Sequence, residues 1–270
     1  MKFLYVLLLS PFCVLYSCNL KSSHPQADIA QDPAATAMNE KIISHYADSL
    51  DKSIDTAHKK ISLIYTKGQH SFYAEQYEFN GKTVLLSVYE DNGALKNTRK
   101  KYYFKNDSLI LVRSSSIQDE GTSPILKDSV SYLRNHTVFK ITFRSAASQA
   151  QLKATPFHSL ATDQKKNAET YLQQVDLLKD AIQQQNQFEM VFESINGAPD
   201  EKYLILKSKT DAVYEASVLL TDKDALIDSL QTDPLKFKGE KIHLNWTIKD
   251  KQAIYVPVAS KVTSARGLNK

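Results

Sequence analysis

The chain has 270 residues, 34 Lys and Arg against 30 Asp and Glu, and a formal net charge of +4. So even a balance excludes a dedicated nucleic-acid binder, whose signature is a strongly basic patch or stripe. Seven Gly against 14 Tyr and 11 Phe favour β-rich structure and leave no Gly-rich phosphate loop.

The N-terminus reads as a signal peptide. Met1 and Lys2 give a small positive region, and residues 3–16 form an apolar run broken by Ser10-Pro11. The run is shorter than the ~20 apolar residues of a spanning helix. Leu15-Tyr16-Ser17-Cys18 resembles the lipobox of bacterial lipoproteins. The resemblance implies cleavage before Cys18, acylation of Cys18 with chains such as palmitate, and attachment to a membrane through that lipid. Cys13 would leave with the leader. The mature chain, at +3 once Lys2 is removed, would then have no free thiol, disulfide or thiolate metal site. Asn19 follows Cys18 where an Asp would resemble an inner-membrane retention signal, so the expected address is the periplasmic face of the outer membrane. Residues 18–32 read as a polar tether.

A long helix is expected next. Asp32 is a candidate N-cap and Pro33 a first helical residue. Met38, Ile42, Tyr46, Leu50, Ile54, Ala57, Ile61 and Ile64 recur at spacings of three and four, and Lys67-Gly68 offers a stop. This predicts one helix to residue 67, packed on a sheet.

The sheet is an antiparallel meander of about six strands, over 71–79, 82–90, 94–105, 108–116, 126–134 and 137–145. Asn80-Gly81, Asp91-Asn92-Gly93, Asn106-Asp107 and Asn135-His136 supply turns. One face is expected on the core and the other in water. Residues 33–146 would form this first domain and 147–162 a linker, with a second helix over 163–187.

Strands at 188–195, 202–208 and 212–220, a short helix near 224–230, and strands at 242–246 and 253–262 complete the chain. That order, together with the Lys238-Gly239-Glu240-Lys241 turn before Ile242-His243-Leu244-Asn245-Trp246, resembles an OB-like module. The expected class is therefore α+β: a long N-terminal helix on an antiparallel β-meander, then a helix and a small OB-like β-barrel over 188–264.

Chemistry-bearing motifs are sparse. None of the seven His shares a metal-ligand spacing with another His or a Cys, and there is no Gly-x-Ser-x-Gly elbow. No catalytic residue, metal or cofactor is expected. Arg99-Lys100-Lys101-Tyr102-Tyr103-Phe104-Lys105 is the one basic-aromatic cluster. It reads as a strand with Lys and Tyr on a wet face in preference to a platform for an anionic polymer. In the OB-like module Tyr203, Tyr214, Trp246 and Tyr255 are the candidate binding residues, able to stack on a ligand or to pack internally.

Together these readings give a lipid-anchored envelope protein with a binding or assembly role and no catalysis of its own. Its partner would be an envelope protein, a glycan or a lipid. A hydrolase of cell-wall or glycan material, and an inhibitor or chaperone of a secreted protein, are the alternatives.

Overall fold

The computed structural model describes residues 39–93, 96–119, 121, 123–161, 164–210 and 213–257. The leader, Cys18, the tether and the Asp32-Pro33 start of the expected helix lie outside the described residues. The first element, α1 (Glu40–Ser53), is capped by Asn39, whose side chain accepts from the Ile42 N–H at 3.1 Å.

The expected long helix is overturned: α1 ends at Ser53 and a 3₁₀ turn, Ile54–Thr56, follows. Ser53 Oγ bonds back to the Ser49 and Leu50 carbonyls, and Thr56 Oγ1 donates to the Ser53 carbonyl. Such local bonds compete with helix continuation. Residues beyond them form β1 (His58–Ile61) and β2 (Tyr65–Lys67), both on one edge of β3 (His70–Phe79). Lys59 meets Glu75 at 2.6 Å and Lys60 meets Glu78 at 2.8 Å across the β1–β3 ladder. Cross-strand charge pairing thus takes a segment whose apolar spacing suits a helix. Buried Ser62 marks the break, accepting from the Ala74 N–H at 2.9 Å and donating to the Leu63 carbonyl at 2.7 Å.

The meander continues through β4 (Lys82–Asp91), β5 (Lys96–Lys105), β6 (Ser108–Asp119), β7 (Pro124–Arg134) and β8 (Thr137–Ala146), each antiparallel to the last. Helix α2 (Gln149–Ala154) leads to β9 (His158–Leu160) on the β8 edge, then to α3 (Gln164–Gln183). Three more antiparallel strands follow, β10 (Met190–Ala198), β11 (Glu201–Ser208) and β12 (Glu215–Leu220). After α4 (Ala225–Thr232) and α5 (Pro234–Phe237) comes the hairpin β13 (Asn245–Lys249) and β14 (Gln252–Val256).

The expected α+β class with a separate barrel is also overturned. Strand β12 pairs antiparallel with β2 and parallel with β14, so the C-terminal strands join the meander in one large mixed sheet of 14 strands. The order three strands, helix, two strands is present. Its third strand has an open edge, and β2 supplies the pairing partner that the edge requires.

Both faces of the sheet carry a core, whereas one face was expected to be wet. On one face, Leu86, Val88, Tyr102, Val112 and Ile141 pack with Val175, Leu178 and Ala181 of α3 and with the C-terminal strands. On the other, Ile43, Ala47 and Leu50 of α1 cover Leu85, Tyr103, Leu111 and Tyr132. Strand β4 is accordingly buried at four consecutive positions, Leu85 to Val88. A strand between two covered faces loses the alternation of a half-wet one.

Burial pushes the phenols of Tyr65, Tyr102 and Tyr103 far above the ordinary value of 10.0. The unfolded chain ionises these groups near that value and the folded chain keeps their protons. Their contribution is therefore complete below pH 10 and is lost as pH rises beyond it. Stability is expected to fall steeply above about pH 10, with tyrosinate absorbance rising together with loss of β-sheet circular dichroism.

Gly197 lies within β10 opposite Lys202, and the β10–β11 turn forms at Pro199-Asp200. The backbone at Gly197 has φ +127°, and a Cβ there would stand 2.1 Å from the Glu201 carbonyl oxygen. Gly197→Ala is expected to cost about 1–2 kcal/mol, measured as a lower urea midpoint.

Candidate functional site

The register of the meander places Tyr73 opposite Tyr89, Tyr89 opposite Arg99, Arg99 opposite Ser115, and Ser115 opposite Asp128. Side chains two apart along a strand share a face. This row therefore lies on the same face as Leu85, Tyr103 and Leu111, the residues under α1, but toward the opposite end of the strands. There α1 does not reach, and a cleft of about 430 Å³ opens. Besides the row, its lining includes Ile64, Ile117, Leu126, Leu152 of α2, Asp91 and Lys251 of the β13–β14 turn.

The row is built as a stack. The rings of Tyr73 and Tyr89 lie 4.6 Å apart and 11° from parallel, and the Arg99 guanidinium sits 4.6 Å from the Tyr89 centroid. A cation–π contact of this kind holds the guanidinium over the ring without using its N–H donors. Burial, with Tyr89 and Glu75 adding to it and Arg99 opposing it, pushes the Tyr73 phenol well above its usual range; burial also raises the Tyr89 phenol, against the opposing charge of Arg99. Both remain neutral hydroxyls at physiological pH.

The carboxylates around the cleft are engaged. Asp128 accepts from Arg144 Nε at 3.0 Å, Arg144 Nη2 at 2.8 Å and Ser115 Oγ at 2.8 Å. Arg144 in turn lies 4.5 Å from the Phe157 centroid. Asp91 meets Lys251 at 3.3 Å, and Asn97, with its amide turned to present nitrogen, donates to both Asp91 oxygens at 3.2 and 2.8 Å. Glu90 is held by Lys100 at 3.1 Å. Arg99 is paired with no carboxylate among the described residues.

The four candidate aromatics of the C-terminal strands do not form one surface. Tyr255 is 1% exposed and donates to Asp224 Oδ2 at 2.6 Å. Trp246 packs on the core below α3 and donates from Nε1 to the Ser62 carbonyl at 3.1 Å. Tyr214 packs against Phe188, Tyr65 and Phe72, with centroids 5.0, 6.3 and 6.1 Å away. Tyr203 neighbours core residue Leu204 in β11, so it stands on the opposite face, hydrogen-bonded to Glu201. Three of the four serve packing.

The basic-aromatic cluster resolves into separate roles. Lys100 and Lys101 pair with Glu90 and Asp51, and Tyr102 and Tyr103 are buried on opposite faces. The wet face expected for the tyrosines of this strand is overturned by their burial; Arg99 lines the cleft and Lys105 lies over the Tyr46 ring. Tyr73, Tyr89 and Asp128 carried no sequence signal, since their partnership depends on register across four strands.

Among the described residues there is no group of three His, Cys, Asp or Glu able to hold a metal. No helix among them is long and apolar enough to cross a membrane. No protein-family model, curated protein or solved structure matches the chain.

Proposed function

We propose that this is a lipid-anchored envelope protein whose mature part binds a small ligand in the Tyr73–Tyr89–Arg99 cleft and performs no chemistry on it. The leader and the lipobox-like Leu15-Tyr16-Ser17-Cys18 support the address. The observation that carries the binding role is the pre-stacked Arg99, set in an open cleft whose carboxylates already have cations. The cleft volume falls in the range of small-molecule sites. A two-carboxylate hydrolase is poorly served here. Asp91 and Asp128 are three strands apart, about 14 Å of sheet at the usual spacing, against roughly 5–9.5 Å between the carboxylates of glycosidases.

Filling the cleft tests the proposal. Ser115 is exposed and central in the row, so Ser115→Trp adds bulk where Arg99 and Asp128 flank it. Native mass spectrometry of the full chain, incubated with an envelope extract, is expected to show a bound small molecule on wild type and none on Ser115→Trp. Equal occupancy of both would overturn the assignment of the cleft.

A further inference from the structure

We infer that the ligand of this cleft is a monoanionic amphiphile: one carboxylate or phosphate head seated on Arg99, with an apolar body along Ile64, Ile117, Leu126 and Leu152. The inference rests on the binding role proposed above and specifies its chemistry.

Charge accounting within the cleft points to an anion. Each carboxylate there has its own cation: Glu90 has Lys100, Asp91 has Lys251 and Asp128 has Arg144. Among the described residues Arg99 is the cation left over. Its contact is the Tyr89 ring, which holds the guanidinium in place and satisfies none of its N–H groups. The planar fork of guanidinium donors matches the two oxygens of a carboxylate or phosphate. The neutral phenol of Tyr73, in the same stack, is a further donor toward such a head.

The remaining wall points to an apolar body. Ile117 is 49% exposed although it lines the cleft, and Leu126 lies opposite it in the β6–β7 ladder. Leu152 is buried at the α2 side and Ile64 stands at the β2 side. Ser71, Asn97, Ser116 and Gln149 also line the cleft, but the larger part of its accessible surface is apolar and the smaller part polar, whereas a sugar ring would need polar groups around its whole rim. One ionic head and one apolar tail fit that division.

The test is titration calorimetry of the full chain in nanodiscs, with octanoate, octyl phosphate, octanol and glucuronate as probes. Ser115→Trp in the same nanodiscs serves as the blank for partition into lipid. Octanoate or octyl phosphate is expected to bind saturably, at least tenfold more tightly than octanol or glucuronate. The stronger of the two identifies a fatty-acid or a phospholipid-like source. Arg99→Gln, at an exposed position, is expected to weaken that binding about ten- to a hundredfold, and Arg99→Lys to recover only part of it. Octanol binding as tightly as octanoate, or no loss with Arg99→Gln, would overturn anion recognition. Glucuronate binding more tightly than the octyl compounds would replace the amphiphile by an acidic sugar. If Ser115→Trp bound octanoate like wild type, the cleft itself would be the wrong site and the binding proposal would fall with it. No saturable binding of any probe, with a native ligand still displaced by Ser115→Trp, would reject only the ligand class.

Discussion

Phe188→Ala is expected to destabilise the entire chain by about 3–5 kcal/mol, with a single unfolding transition before and after the change. Phe188 is fully buried and lies 4.7 Å from Tyr65, 5.7 Å from Phe72 and 5.0 Å from Tyr214, ring centroid to centroid. Tyr65 and Phe72 belong to β2 and β3, whereas Phe188 and Tyr214 flank the C-terminal strands. The same aromatic cluster thus joins the C-terminal strands to the meander beside the β2–β12 ladder. Tyr65 adds a hydrogen bond from its hydroxyl to the Ala181 carbonyl at 2.8 Å, tying in α3. Removing the ring opens a cavity at this junction, and its cost combines lost burial with incomplete collapse. Urea unfolding followed by far-ultraviolet circular dichroism and by Trp246 fluorescence checks both parts. Coincident curves shifted to lower urea are expected. Separate transitions for the two signals would show that the C-terminal strands fold apart from the meander.

How far the sequence reaches is visible in the same elements. The turns Asn80-Gly81, Asn106-Asp107 and Asn135-His136 are legible because both residues of each adopt positive φ, a conformation these residue types tolerate. The strands flanking them fall close to where alternation and turns put them. Register is another matter. Each of these hairpins carries an irregularity two or three residues from its turn, at Tyr77/Glu78, Tyr103/Phe104 and Tyr132/Leu133. Counting from the Asn80-Gly81 turn alone would set Tyr73 opposite Val88. The bulge shifts the ladder by one and sets it opposite Tyr89. A one-residue slip moves a whole side-chain set to the other face, so one bulge sets the Tyr73–Tyr89 stack, a second sets Arg99 opposite Ser115 and a third sets Asp128 opposite Arg144, and no residue type announces them.

The helix error has the same origin. Ile54, Ala57, Ile61 and Ile64 keep a helical spacing, yet the β3 edge offers Glu75 and Glu78 to Lys59 and Lys60. A partner 15 or more residues away in the chain is invisible to a periodicity. Trp246 and Tyr255 likewise stand out in the sequence for stacking potential. Their environment is instead set by Ser62 and Asp224, which accept their polar hydrogens and let the rings pack inward.

Asp51→Ala should show that the α1 end of this face governs stability while the Arg99 end governs binding. Asp51 accepts from Lys101 Nζ at 2.7 Å, from the Tyr103 hydroxyl at 2.9 Å and from Arg113 Nη1 at 3.3 Å. Lys101 and Arg113 are directly opposite each other in the β5–β6 ladder. Without the carboxylate, two half-buried cations face each other and the hydroxyl of a fully buried tyrosine loses its acceptor. Like charges across a ladder repel, and an orphaned buried group carries its full desolvation cost. The expected loss is about 2–4 kcal/mol, read from urea unfolding. Asp51→Asn keeps an acceptor and the shape, so it should lose roughly half as much. Asp48, which still accepts from Arg113 Nη2 at 2.7 Å, limits the damage to the β6 side. Asp51 does not line the cleft. At a temperature where the variant remains folded, its octanoate affinity should therefore match wild type within about twofold, as for sites without shared partners. A parallel loss of affinity would mean that the packing of α1 sets the cleft row, and that the two ends of this face act as one unit.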